Sequence, residues 1–225
     1  MAEKFVKVCG LTRAEDMAFC HDLGIDYTGM IFVEKSPRFI LPSCAVHMPK
    51  GQARRVGVFA GASLETIREV GQKADLDLIQ LHGSEDVEFC RHVGAERVIK
   101  VLWPERLEQD ELQLEIRRFA PVCTYYLFDA GMMGGGSGKT LQWSLLNRLD
   151  IPRPWFVAGG IGPVNIQDVL LNCDPSGIDM NSAVENAPGI KNLELIQQAL
   201  VQLKRVEKPG RQNEMQSVCS LEKRV

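Results

Sequence analysis

Eight times within about 200 residues, a short apolar, β-branched run gives way to a stretch of helical character. This alternation narrows the possible folds more than any other feature of the chain. Strands are expected at about 5–9, 27–33, 55–59, 77–81, 98–102, 125–129, 155–158 and 177–180. Helices between them include Ala14–Leu23, Leu64–Lys73, Asp86–Val93, Leu107–Phe119, Leu141–Arg148 and Val164–Leu171. Strands that are apolar along their whole length are buried on both faces, which calls for a parallel sheet covered by helices. Eight such units fit a closed (β/α)₈ barrel, a TIM barrel of the α/β class, better than an open sheet. The units share no internal sequence similarity, so the chain is not a repeat protein. In the second unit Pro37, Pro42 and Pro49 limit any helix to a short piece. The barrel is expected to occupy residues 1–205 as one domain. From Val206 to Val225 the chain turns polar, with Pro209 and Gly210, and reads as a flexible tail.

In such a barrel the chemistry gathers where strands end and loops begin. Those positions hold Cys9 after the first strand, Ser36 and Arg38 after the second, and Gln80 and His82 at the fourth. Asp129 ends the sixth, Gly159 and Gly160 follow the seventh, and Asp179 with Asn181-Ser182-Ala183 closes the eighth.

The segment YYLFDAGMMGGGSGKT (residues 125–140) invites comparison with a nucleotide-binding P-loop, which needs a glycine five positions before the glycine of Gly-Lys-Thr. Five residues before Gly138 stands Met133, so the spacing misses by one. The strand-ending carboxylate of Asp129 then becomes the chemical feature, and the glycines around Gly135 leave room beside it. The loops AGGI (Ala158–Ile161) and NSAVE (Asn181–Glu185) stand where many barrels bind phosphate. Glycine lets backbone N–H groups approach an oxyanion closely, and a short helix starting near Ser182 would add its positive end.

Cys9 at a strand's mouth is a candidate base or nucleophile, since a free thiol keeps a few per cent thiolate at neutral pH and a nearby cation raises that fraction. Asp129, if partly desolvated, can serve as an acid. One base and one acid on different strands suit proton abstraction beside a carbon–nitrogen or carbon–oxygen double bond. Arg38 offers a planar fork for a carboxylate; an exposed surface arginine is the alternative. His82 either lines the pocket or is a satisfied structural histidine. Trp103, Trp143 and Trp155 read as core, and Asp16, Glu65 and Glu85 as residues at helix starts complementing the helix dipole.

A formal net charge of −3 provides no broad cationic field, which argues against a nucleic-acid partner. The start MAEKFVKVCG places charges where a secretory signal needs an apolar run, and no apolar stretch approaches membrane-spanning length, so no membrane partner and a cytosolic location are expected. Seven scattered cysteines, none in a C-x-x-C pair, suit a reducing compartment, with most of them buried as small apolar residues. One chain's sequence leaves the oligomeric state open between monomer and homodimer.

The segments KVCGLTR, GMIFVEKSPR, VGVF, IQLHG, LFDAGMMGGGSGKTLQWSLL, VAGGI and GIDMNSAVENAPGIKN, in this order from about Val6 to Lys191, resemble the motifs of the phosphoribosylanthranilate isomerase family of tryptophan biosynthesis. That resemblance implies a (β/α)₈ barrel without cofactor or metal. It implies a small phosphorylated substrate and an Amadori rearrangement, with Cys9 as general base, Asp129 as general acid, and Arg38 facing the anthranilate carboxylate. It further implies phosphate binding by Gly160 and Asn181–Ala183. The chain departs from the family at Asn181-Ser182-Ala183, where Ser-Ser-Gly is usual; backbone donors survive, but Ala183 lacks glycine's conformational freedom. Rival readings are a P-loop NTPase, a related barrel isomerase of histidine biosynthesis, in which an aspartate stands at the position of Cys9, and a non-catalytic phosphosugar-binding barrel.

Overall fold

The chain was analysed as a computed structural model that describes residues 4–130 and 143–207. Eight parallel strands close into a barrel in sequence order: β1 (Phe5–Val8), β2 (Tyr27–Ile31), β3 (Arg54–Phe59), β4 (Leu78–Leu81), β5 (Val98–Leu102), β6 (Tyr125–Asp129), β7 (Trp155–Ala158) and β8 (Gly177–Met180). The closure is made by β1 and β8, which pair from Phe5↔Gly177 to Val8↔Met180. Around the strands run α1 (Ala14–Asp22), α2 (Pro42–Ala45), α3 (Leu64–Lys73), α4 (Val87–Val93), α5 (Gln109–Phe119), α6 (Ile166–Asn172) and α7 (Leu193–Glu207). The (β/α)₈ expectation holds, including the short second helix that the prolines impose.

The strands are apolar on both faces because each face has a separate core to fill. Outward-facing residues such as Val8, Met30, Phe59, Ile79, Tyr126, Phe128 and Ile178 pack with the inner faces of the helices in the large cluster between sheet and helices. Inward-facing Tyr27, Val56, Leu78, Ile99, Val101, Leu127, Phe156 and Ala158 fill the barrel itself. The alternation follows from the two-residue side-chain period of a strand.

Caps explain where the helix bounds differ from expectation. Asp86 does not enter α4; its carboxylate accepts from Phe89 N at 2.8 Å and starts the helix at Val87. Leu107 also stays outside: a 3₁₀ turn over Pro104–Arg106 precedes it, and Glu108 and Glu111 form a reciprocal capping box for α5. The helix expected over Leu141–Arg148 is a 3₁₀ helix over Trp143–Arg148, and its first two positions lie outside the described residues. Residues 208–225, most of the expected tail, lie outside them too.

Of the acidic residues assigned to helix starts, Asp16 does stand in the first turn of α1 and has tertiary partners besides, whereas Glu85 lies outside its helix. Asp16 is buried in α1, where it accepts from the Arg13 guanidinium and from Lys191 N at 3.0 Å. Glu85 precedes the α4 cap and is buried, accepting from Gly61 N at 2.8 Å and Gly83 N at 2.9 Å, which ties the loop after β3 to the loop after β4. Five of the six described cysteines are buried and Cys44 is exposed. After β8 the chain makes a small antiparallel hairpin, β9 (Glu185–Ala187) with β10 (Ile190–Lys191), which the sequence reading did not anticipate. Its turn residue Gly189 has φ +81 and accepts from Thr12 Oγ1 at 2.6 Å, docking the hairpin on the loop after β1. Among the described residues no helix is long and apolar enough to cross a membrane.

Candidate active site

At the carboxyl ends of the strands lies a cavity of about 360 Å³, lined by Cys9, Arg38, Gln80, His82, Asp129, Gly159, Gly160, Asp179, Asn181 and Ser182, with Trp103 and Arg106 on its edge. That volume suits a small phosphorylated molecule. A wider cavity, about 630 Å³, opens at the amino ends of the strands beside Phe5, Asp26, Tyr27 and Arg54. In a barrel that end contributes stability rather than chemistry, so the smaller cavity is the candidate site.

Cys9 follows β1, with its N–H bonded to Met180 O at 2.9 Å. Gly29 on the neighbouring strand makes room for it, because a Cβ there would stand 2.7 Å from the sulfur. Gly10 then turns the chain at φ +73, and any Cβ at that position would meet Asn181 Oδ1 at 2.7 Å and Arg38 Cδ at 2.8 Å. Only glycine allows both the turn and the close approach. The thiol is 3% exposed, and burial pushes its pKa up; Lys7 opposes that rise and Asp179 adds to it. A cation does stand beside the thiol and lowers its pKa, but desolvation outweighs it.

Asp129 ends β6 opposite Ala158 of β7. Its Oδ2 lies 3.4 Å from His82 Nε2, and His82 Nδ1 lies 3.2 Å from Gln80 Nε2. With the Gln80 amide donating to Nδ1, Nε2 is the ring nitrogen that faces Asp129. His82 thus belongs to the cavity, held by Gln80 and packed edge-on against Trp103 at 5.3 Å. Trp103 packs half-buried against the inner core, in line with the core reading, and also borders the cavity, with the Arg106 guanidinium 4.3 Å from its ring centroid. Trp155 is core, and Trp143 packs half-buried against it.

Arg38 is an arginine of the cavity wall, not a free surface one. Glu185 accepts from its Nε at 2.9 Å and its Nη2 at 2.6 Å. The same carboxylate accepts from Lys191 Nζ at 2.7 Å and Gly189 N at 3.2 Å. Burial works against the Glu185 charge, but these donors outweigh it and hold its pKa below the ordinary value. Lys191 also donates to Asn181 Oδ1 at 3.0 Å, so one ammonium fixes both the hairpin and the loop after β8.

At the other wall Gly159 and Gly160 take left-handed φ values of +109 and +68. Asn165 braces their loop through Gly162 N at 2.9 Å and Gly160 O at 2.9 Å. Ser182–Val184 form a 3₁₀ turn directly after β8. Among the described residues Asp75 is the one non-glycine with positive φ, so Ala183 does not occupy a left-handed conformation that would favour glycine. Asp179 is buried below the rim, its Oδ2 2.8 Å from Lys7 Nζ. Gly135, also expected at the site, lies outside the described residues.

A family profile described as "PRAI: N-(5'phosphoribosyl)anthranilate (PRA) isomerase" matches residues 6–203. The chain belongs to the N-(5'-phosphoribosyl)anthranilate isomerase family. It is 44% identical to the enzyme of that name from Maridesulfovibrio salexigens over 187 residues, 83% of this chain and 91% of the relative. The crystal structure of phosphoribosyl anthranilate isomerase from Thermotoga maritima superposes with a TM-score of 0.78 at 32% identity, covering 89% of this chain and 98% of that one. A second family structure, solved in complex with reduced 1-(o-carboxyphenylamino)-1-deoxyribulose 5-phosphate, has a TM-score of 0.75 at 30% identity over the same shares.

Five residues at the cavity were given no site role of their own in the sequence reading: Lys7, Trp103, Arg106, Glu185 and Lys191. Lys7 was legible as a charge inside an apolar strand, two residues before Cys9 and so on the same face. Glu185 and Lys191 depend on a hairpin too short to register as strands.

Proposed function

We propose that this chain isomerises N-(5-phosphoribosyl)anthranilate to 1-(2-carboxyphenylamino)-1-deoxyribulose 5-phosphate, an Amadori rearrangement of tryptophan biosynthesis, by general acid–base catalysis. The observation that carries this reading is that Cys9 and Asp129, from strands that share no ladder, line one cavity whose far wall is the pair of loops after β7 and β8.

In this reading Asp129 gives its proton to the ribose ring oxygen as the C1–O bond breaks, and the aryl nitrogen lone pair forms the C1–N double bond. The cationic Schiff base acidifies the C2 proton. The Cys9 thiolate takes that proton, and the C–H electron pair moves into a C1–C2 double bond and neutralises the nitrogen. The enolamine then tautomerises to the ketone, C1 gaining the proton that the 2-hydroxyl gives up. Glu185 occupies Nε and Nη2 of Arg38, and the Nη1 edge is the one that takes the anthranilate carboxylate. Gln80 Oε1 and Asp179 Oδ1 are buried acceptors without a hydrogen-bond partner. Buried polar atoms are rarely left so, and sugar hydroxyls supply the donors. The N–H groups of Gly159, Gly160, Ser182 and Ala183 hold the phosphate. The six described cysteines are free thiols, which supports action in a reducing, cytosolic compartment.

Steady-state turnover of phosphoribosyl anthranilate, followed by the loss of its fluorescence, tests the proposal. Turnover by the purified chain is expected. A folded protein that binds the substrate without consuming it would leave a binding barrel as the function.

A further inference from the structure

Lys7 stands two residues before Cys9 on β1, so both side chains enter the barrel. It is completely buried, and its ammonium donates to Asp179 Oδ2 at 2.8 Å from the position directly opposite on β8. Cys9 and Asp179 line the same cavity, and the charge of Lys7 acts on the sulfur against the rise that burial imposes. A buried ion pair is a weak device for stability, since apolar residues of similar volume serve as well or better. Apolar side chains fill the rest of the barrel interior, among them Tyr27 beside Lys7, Val56 and Leu78. The cation is therefore explained by what stands above it.

The titratable and charged groups around Cys9 are Lys7 on its own strand, Asp179 on β8, Lys191 on β10, and the Arg38–Glu185 pair at the mouth, with Asp129 and His82 across the cavity. We propose that Lys7 is a positioning cation for Cys9: its ammonium, shared between Asp179 and the sulfur, holds the thiolate that removes the substrate's C2 proton. The inference rests on the reading of Cys9 as general base. The thiol loses its proton to solvent water before turnover, giving an anion–cation–anion row of sulfur, ammonium and carboxylate. Lys7 keeps its three protons throughout and Asp179 stays a carboxylate. The sulfur alone accepts the proton from C2, whose electron pair enters the C1–C2 bond.

Lys7 and Asp179 push on the sulfur with opposite signs, which makes the inference testable in two directions. The readout is the pH midpoint of Cys9 alkylation by iodoacetamide in the full chain, measured on the Cys9 peptide by mass spectrometry. In Lys7→Met the midpoint is expected to rise by about one pH unit or more. The acidic limb of kcat/KM should move with it, with activity at neutral pH down about tenfold. An unmoved midpoint, even with a lowered Tm, would reduce Lys7 to a structural residue and overturn the inference. Asp179→Asn should lower the midpoint by releasing the ammonium to the sulfur. If Lys7→Met does not fold, Asp179→Asn decides alone: a midpoint that stays or rises rejects the proposal. The underlying assignment fails separately, through a Cys9→Ser variant that keeps turnover within about tenfold of the parent.

Discussion

The two ends of the barrel are built from the same eight strands and face the same interior, yet they are filled by opposite kinds of residue. At the amino ends Phe5, Tyr27, Tyr125 and Phe156 interlock, with Tyr27 and Phe156 ring centroids 5.2 Å apart at 85° and the two tyrosine hydroxyls 3.1 Å apart. At the carboxyl ends the inward positions carry Cys9, Gln80, His82, Asp129 and Asp179, with buried acceptors left unpaired. Between them lies the layer of Val56, Leu78, Ile99 and Leu127. The comparison teaches that position along the strand, not exposure or strand identity, separates support from chemistry. The aromatic packing at the amino ends supports a mouth that holds charge and unsatisfied polar atoms.

The largest effect should come from breaking the lower end. Phe156→Ala removes a ring that is fully buried and should cost about 3–5 kcal/mol of stability in chemical denaturation, while kcat of the folded fraction stays within about twofold of the parent. A matching loss of kcat without loss of stability would erase the distinction between the ends. Next come Cys9→Ser and Asp129→Asn at the mouth, each expected to lower kcat about a hundredfold or more with little change in Tm. Turnover within about tenfold of the parent in either variant would remove that residue from its role. Arg38→Ala should act mainly on substrate binding, raising KM about tenfold as a charge-assisted contact is lost. An unchanged KM and kcat would contradict a carboxylate contact there.

The smallest effect is one of pH. The folded-state pKa of Glu185 is depressed, so the stability it contributes is complete above its unfolded value and disappears as pH falls through the folded one. The parent should therefore lose more Tm between neutral and acidic pH than Glu185→Gln does. Identical acid profiles for the two would show that the Arg38–Glu185–Lys191 cluster carries no such linkage. The Cys9 shift runs in the other sense: with the thiol pushed up by burial, kcat/KM should climb as pH rises through neutrality toward the thiol's pKa.

The barrel was legible because its signal repeats: β5, β6, β7 and β8 begin and end where the apolar runs do, and the remaining strands shift by one or two residues. Cys9, Asp129, Gly159, Gly160, Asn181 and Ser182 were legible for a related reason, since strand ends are themselves marked by the period. What escaped was set by contacts far apart in sequence. Arg38 meets Glu185 across 147 residues, and Asp16 meets Lys191 across 175. No local pattern announces either pairing. The cavity face of Trp103 escaped because an aromatic residue next to an apolar strand has the same local appearance whether or not it also borders a cavity.

The most direct test of the account is a crystal structure of this chain with the reduced product analogue bound. The account predicts Cys9 Sγ and an Asp129 carboxylate oxygen on the reacting carbons and the sugar oxygen, at near-attack distances of about 3–3.5 Å. It also predicts the phosphate on the N–H groups of Gly160 and Ser182. An analogue seated with its phosphate away from those loops, or with its sugar out of reach of both Cys9 and Asp129, would contradict it.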